Sequence, residues 1–176
     1  VTLQRIAPRL AGILVTLTVT LAGCVGYEYK LNERTMFEGP RLLTDYAIAD
    51  EALRECVAQA ITDQRITHAE TLEDLNCTHA GITSLDGLQA FSGLRRLGLD
   101  DNAITDVTPL GALRALELLQ VRGNRLRTLD PQLCQGVAKK IALERNDGLD
   151  CAAIERLRAC SATILDLPAH CTPGTP

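Results

Sequence analysis

LRRLGLDDNAI (residues 94–104) returns as LELLQVRGNRL (residues 116–126), so Leu94, Leu97, Leu99, Asn102 and Ile104 are matched by Leu116, Leu119, Val121, Asn124 and Leu126. Each member recurs after 22 positions, and a fixed period in the range of roughly 20–50 residues is the signature of a solenoid. Within each repeat the pattern L-x-L predicts a short strand whose leucines point inward and whose intervening residues point outward. Carried upstream, the period meets Leu72, Leu75 and Cys77, with Ala80 where the asparagine falls, then Ile82 and Leu85. Downstream it meets Ala138, Ile141, Leu143 and Asn146, and a degenerate fifth coil at Cys160, Thr163 and Leu165. Irregular terminal coils are the rule in such arrays.

These residues resemble the leucine-rich repeat, and I-x-x-V-x-P-L at residues 104–110 resembles the internalin-like 22-residue repeats of bacteria. The resemblance covers residues 72–146 and extends to about 50–171 with the caps. It implies an α/β fold: a short right-handed leucine-rich repeat solenoid of about four to five coils with a parallel concave sheet. A helical cap would occupy residues 50–71, the repeats 72–149, and a C-terminal cysteine-containing cap and tail 150–176. Asn102, Asn124 and Asn146 fall where the chain leaves each strand. Their amides can both donate and accept, and so satisfy buried turn groups on neighbouring coils. Pro109 and Leu110 end the outer segment of one coil, whereas Pro131–Val137, in the next, reads as more helical.

The N-terminal region carries an address. Arg5 and Arg9 precede an uncharged apolar run from Leu10 to Ala22 that ends in Leu21-Ala22-Gly23-Cys24, the pattern of a secretory signal. L-A-G-C resembles a bacterial lipobox, which implies that residues 1–23 are removed and Cys24 is acylated. An ordinary signal peptide with a chance cysteine is the alternative; a membrane span is disfavoured because the run is shorter than the ~20 residues required. Val25 stands where an inner-membrane retention signal would carry Asp, so the resemblance points to lipid anchoring in the outer membrane. Residues 24–49 read as a tether. Without Arg5 and Arg9 the chain has 16 basic and 22 acidic residues.

Asp50 is placed to cap a helix over Glu51–Ile61, with Leu53, Cys56, Val57, Ala60 and Ile61 on one face. Thr67-His-Ala-Glu70 matches a capping box before Leu72. With Cys24 lipidated, six cysteines remain, and six allow 15 pairings. Residues one coil apart in sequence are neighbours in space, which favours Cys56–Cys77, Cys134–Cys160 and Cys151–Cys171. The alternatives are Cys134–Cys151 with Cys160–Cys171, and a simple buried thiol at Cys77. Asn146-Asp-Gly-Leu-Asp-Cys151 resembles the cysteine caps of extracellular repeat proteins, but lacks the proline and has one cysteine in place of a close pair.

Composition excludes several functions. No basic cluster or stripe is present, against nucleic-acid binding. His68, His79 and His170 lack metal or triad spacing, and no C-x-x-C, H-E-x-x-H, G-x-S-x-G or P-loop pattern occurs. We expect no catalytic residues, no metal and no cofactor; His170 and Cys171, adjacent in sequence, should diverge.

The outward strand residues are the candidate binding surface. Alternation arranges them in columns: Asp74, Arg96, Leu118 and Lys140; Asn76, Gly98, Gln120 and Ala142; Thr78, Asp100, Arg122 and Glu144. Asp74, Arg96, Asp100, Gln120, Arg122, Lys140 and Glu144 form a polar face suited to a protein partner, on a monomer. The competing reading is that Asp100, Arg122 and Glu144 form an acid–base–acid ladder that satisfies itself, in a structural envelope protein without a dedicated ligand.

Overall fold

The structure is a computed structural model. It describes residues 29–31, 34–37, 39–129, 133, 138–159 and 163–172. Cys24, Cys134 and Cys160, and Pro131–Val137 apart from Leu133, lie outside the described residues, and with them the expected lipidation and the Cys134–Cys160 pairing. The chain divides into two units at Gly39 and Pro40. In the first, β1 (Tyr29–Leu31) and β2 (Arg34–Phe37) pair antiparallel, where only a tether is expected from sequence.

The second unit is built on one parallel sheet of five strands: β3 (Asp74–Asn76), β4 (Arg96–Gly98), β5 (Leu118–Gln120), β6 (Lys140–Ala142) and β7 (Thr163–Asp166). The register follows the 22-residue period across the first four: Leu75 pairs with Leu97, Leu97 with Leu119, and Leu119 with Ile141. At β7 the period breaks. Ile141 pairs with Ile164 and Ala142 with Asp166, across a register irregularity. The fifth coil is therefore displaced from the expected phase, in which Thr163 would face Ile141.

The inward leucines form one continuous aliphatic core, from Leu53 and Val57 through Leu75, Leu97 and Leu119 to Ile154 and Leu157. Each fully buried Leu or Ile contributes about 1.5–3 kcal/mol relative to exposure. The outer segments are 3-10 turns at Leu88–Ala90 and Thr108–Ala112, the second opened by Pro109 at a position where a missing N–H costs nothing.

The asparagines hold the turns as their chemistry requires. Asn124 Nδ2 donates to the carbonyls of Leu99, Val121 and Arg122, and its Oδ1 accepts from Ile104 N at 3.1 Å. Asn146 donates to Val121 and Leu143 and accepts from Leu126 N. Asn102 repeats the arrangement one coil earlier, towards Cys77, Leu99, Gly81 and Ile82. Just before each, and in coil one without an asparagine after it, sits a left-handed residue: His79, Asp101, Gly123 and Arg145, with φ between 55° and 61°. Three are not glycine, at a cost of about 1–2 kcal/mol each. An inter-coil hydrogen bond offsets this at three of the four: His79 N to Asp100 O, Asp101 N to Arg122 O, and Gly123 N to Glu144 O, at 2.8–3.0 Å.

The N-terminal cap is helix α1, Glu51–Gln64, which buries Leu53, Val57 and Ile61. It runs three residues beyond the expected end and stops where Arg65 turns left-handed. Thr67–Glu70 is not a capping box: only a 3-10 turn follows at Ala69–Thr71, without a side-chain cap. Residues 40–49 are likewise no tether. Ile48 is buried, Leu43 N donates to Ile66 O, and Tyr46 packs edge-on to Phe91 at 5.6 Å between centroids. Cys56 on α1 is joined to Cys77 beyond β3, with Cα atoms 5.8 Å apart. At the other end, α2 (Cys151–Ala159) closes the core with Ala153, Ile154 and Leu157, and Cys151 is joined to Cys171. Each bridge closes a loop of about 20 residues, worth about 3 kcal/mol in the chain-entropy account.

Asp50 ties this cap to the repeats. One carboxylate oxygen accepts from Leu53 N; the other accepts from Thr83 N, Thr83 Oγ1 and Ser84 N. Partial burial pushes its pKa up, but these hydrogen bonds outweigh burial and hold it at about 2, below the ordinary 3.8. Because the folded-state value is depressed, the contribution is complete above the ordinary carboxylate range and is lost as pH falls from about 4 through 2. Allowing for solvent screening, we expect Asp50→Asn to cost about 1–2 kcal/mol at pH 7. The gap to the parent should close in urea titrations between about pH 4 and pH 2; a gap that does not change with pH would refute this role.

Candidate functional site

The outward columns stand in the expected register: Asp74, Arg96, Leu118 and Lys140 side by side, and Asn76, Gly98, Gln120 and Ala142 beside them. Accounting for each charged group separates closed from open parts of this face. One closed row precedes the strands. Glu117 Oε1 accepts from Arg95 at 2.7 Å and lies 3.4 Å from Lys139 Nζ.

A second closed row lies beyond them. Arg122 donates to Asp100 at 3.0 Å and, through Nε, to Asp166 at 2.7 Å. The acid–base–acid ladder is thus Asp100–Arg122–Asp166, not the expected Asp100–Arg122–Glu144. Fully buried Ala142 carries no side chain long enough to obstruct the guanidinium on its way to β7, whereas Glu144 is exposed on the turn beyond β6. Hydrogen bonds to Asp166 and Asp100 raise the Arg122 pKa above its ordinary value against partial burial. Asp166→Ala should cost about 1 kcal/mol in chemical denaturation; no measurable loss would mean the ladder contributes nothing.

A third row follows the left-handed positions. Arg145 donates to Asp101 at 2.6 Å across a gap of two coils, and His79 Nε2 lies 3.2 Å from the same carboxylate. Gly123 makes this possible, because a Cβ there would sit 2.2 Å from Asp101 Oδ1. The hydrogen bond from Arg145 lowers the Asp101 pKa.

Between these rows the sheet is open. A hollow of about 250 Å³ is lined by Gln64, Asp74, Asn76, Arg96, Gly98, Leu118 and Gln120. Gln64 reaches it from the end of α1, donating to Asp74 O at 2.9 Å. Arg96 grips Asp74 with two hydrogen bonds, leaving half-buried Leu118 as the apolar floor beside Gly98. Among the described residues, the Gln120 amide, Asn76 Nδ2 and the Lys140 ammonium have no partner. Of the seven expected site residues, Asp74, Arg96 and Gln120 line the hollow and Lys140 borders it. Asp100 and Arg122 are spent in their ladder, and Glu144 stands apart. Gln64 is the residue that strand periodicity could not supply. A second hollow, of about 280 Å³, lies between residues 42–46 and α1; it has no charged lining and reads as a packing seam.

One group of metal-ligating types appears among the described residues: Cys151, His170 and Cys171, with ligand atoms within 4.8 Å of one another. His170 and Cys171 therefore converge rather than diverge. Both sulfurs are committed to the disulfide, and His170 Nε2 lies 2.9 Å from Leu149 O. No helix of the described residues is long and apolar enough to cross a membrane.

No protein-family model matches the chain. Leucine-rich repeat-containing protein 56 from Mus musculus is 37% identical over 79 residues, 43% of this chain and 14% of that protein. Its Rattus norvegicus counterpart is 37% identical over 67 residues, 36% of this chain and 12% of that protein. The match therefore spans about a seventh or less of these relatives. Two Listeria monocytogenes internalins share the architecture. Internalin inlF has a TM-score of 0.57 and 23% identity over 68% of this chain and 36% of its own. Internalin C2 has a TM-score of 0.55 and 25% identity over 68% and 55%. The fold is that of the leucine-rich repeat.

Proposed function

We propose that this chain is a protein-binding module of the bacterial envelope, lipid-anchored through Cys24 to the outer membrane, that engages its partner on the concave sheet. The open hollow carries the reading: on a face where most charges are consumed in ladders, a set of unpartnered polar groups surrounds one apolar floor. Leucine-rich repeat domains are generally protein-binding modules without catalysis, and among the described residues the sheet face pairs no nucleophile with a base.

A photo-crosslinking residue at position 120, on the sheet, should capture a protein from intact envelopes, whereas one at position 112, on the opposite outer segment, should not. Capture from 112 and not from 120 would refute the concave assignment. The anchor is tested separately: Cys24→Ser should abolish incorporation of labelled fatty acid, and undiminished label would sink it.

A further inference from the structure

We infer that the hollow recognises a protein segment in which an apolar side chain is followed or preceded closely by a carboxylate. This rests on the concave-sheet reading above and assigns the chemistry of the partner. Leu118 and Gly98 form a floor without hydrogen-bonding groups, in a space of about 250 Å³, room for a side chain of leucine or phenylalanine size. Gly98 keeps that space open: a Cβ there would meet Asn76 Oδ1 at 2.8 Å and fill the notch.

Charge selects the neighbour. Lys140 pairs in register with Leu118, so its side chain leaves the sheet one strand spacing, about 4.8 Å, from that of Leu118. Lys139 beside it is three-quarters exposed and shares Glu117 with Arg95, so this corner of the sheet is net basic. The acids of the sheet's open part offer no competing anion, because Asp74 is held by Arg96. Gln120 lies two residues along the same strand from Leu118 and can pair with the backbone of an extended segment, while Asn76 Nδ2 adds a donor. An apolar residue seated on Leu118 thus places its immediate neighbour over Lys140, and only an acidic neighbour neutralises the ammonium as it is desolvated.

The test is selection of random twelve-residue peptides displayed on phage against the immobilised chain. Enriched peptides should carry Leu, Phe or Met adjacent to Asp or Glu, and should bind Lys140→Glu at least tenfold more weakly. Selection against Lys140→Glu itself should exchange the acidic neighbour for Lys or Arg. Leu118→Asp should abolish binding; Lys140, whose side chain is exposed and without a partner among the described residues, provides a variant that leaves the core untouched. If enriched peptides lose binding on Gln120→Arg but show no acidic preference and ignore Lys140→Glu, this inference fails while the concave reading stands. If they ignore Gln120→Arg as well, both fail. Absence of any enriched peptide also counts against the inference.

Discussion

Asn124→Ala is expected to destabilise the domain by about 3–5 kcal/mol, which for a chain of this size removes a large part of its stability. The replacement orphans the buried amide of Ile104 and takes one of two donors from the carbonyls of Leu99, Val121 and Arg122, which keep Asn102 Nδ2, Asn146 Nδ2 and Asp101 N respectively. Asn124 is buried, so water cannot reach the orphaned amide without opening the coil; that group costs about 1–3 kcal/mol and each of the three lost hydrogen bonds about 0.5–1.5 kcal/mol. Asn124→Asp should be no better, since a carboxylate cannot donate to three carbonyls and would be charged in the core. Asn102→Ala should cost less, because Asn102 is only half-buried and Gly81 N is exposed to solvent. The order is measured by urea denaturation of the three variants. A loss below about 1 kcal/mol for Asn124→Ala would show that the asparagine row is not what holds the coils.

That row was legible because its demand is chemical and recurrent: a side-chain amide sets two N–H donors beside a carbonyl acceptor, all uncharged. The strand register was legible for a related reason, since an inward leucine every 22 residues leaves a parallel stack one alignment. Where the stack stops being regular, the reading lost its hold. The displaced register at β7 moved Asp166 beside Ala142, and with it the true partner of Arg122. A period extended at constant length cannot anticipate that slip.

The left-handed row was hidden differently. His79, Asp101 and Arg145 carry no conformational signal in their identities, and Gly123 alone among the four suggests one. At His79, Asp101 and Gly123 the backbone geometry is held by a hydrogen bond to the adjacent coil, a tertiary demand that local sequence does not display. In the candidate site, alternation yielded the columns, but not which groups within them are already paired. That distinction depends on side-chain reach, as with Arg122 crossing Ala142 and Arg145 crossing Gly123. Gln64 joins the hollow because α1 runs a further turn past Ile61, under the control of Arg65 rather than of the apolar pattern.

Residues 40–49 present the sharpest difference, and Gly87 tests their place in the fold. Their apolar members, Leu42, Leu43, Tyr46 and Ile48, are only weakly periodic and follow the Gly39-Pro40 breaker, so the sequence pattern assigns them to a linker. They pack individually, as an extended segment laid against α1 and the first outer turn. Gly87 marks the closest approach: its φ is 103°, and a Cβ would lie 2.3 Å from Ala47 O and 2.8 Å from Ile48 Cγ1. Two costs therefore add in Gly87→Ala, a backbone conformation unfavourable to any L side chain, at about 1–2 kcal/mol, and an overlap with backbone that cannot rotate away, at about 1–3 kcal/mol. The expected loss is about 2–5 kcal/mol. Gly81→Ala separates the two, because φ is 83° there but nothing lies within 4 Å, and only the first cost of about 1–2 kcal/mol applies. Equal losses in the two variants would mean that Ala47 and Ile48 do not press on the turn. The larger loss at Gly87 would place this segment within the cooperative domain, so that shortening it should unfold the N-terminal cap.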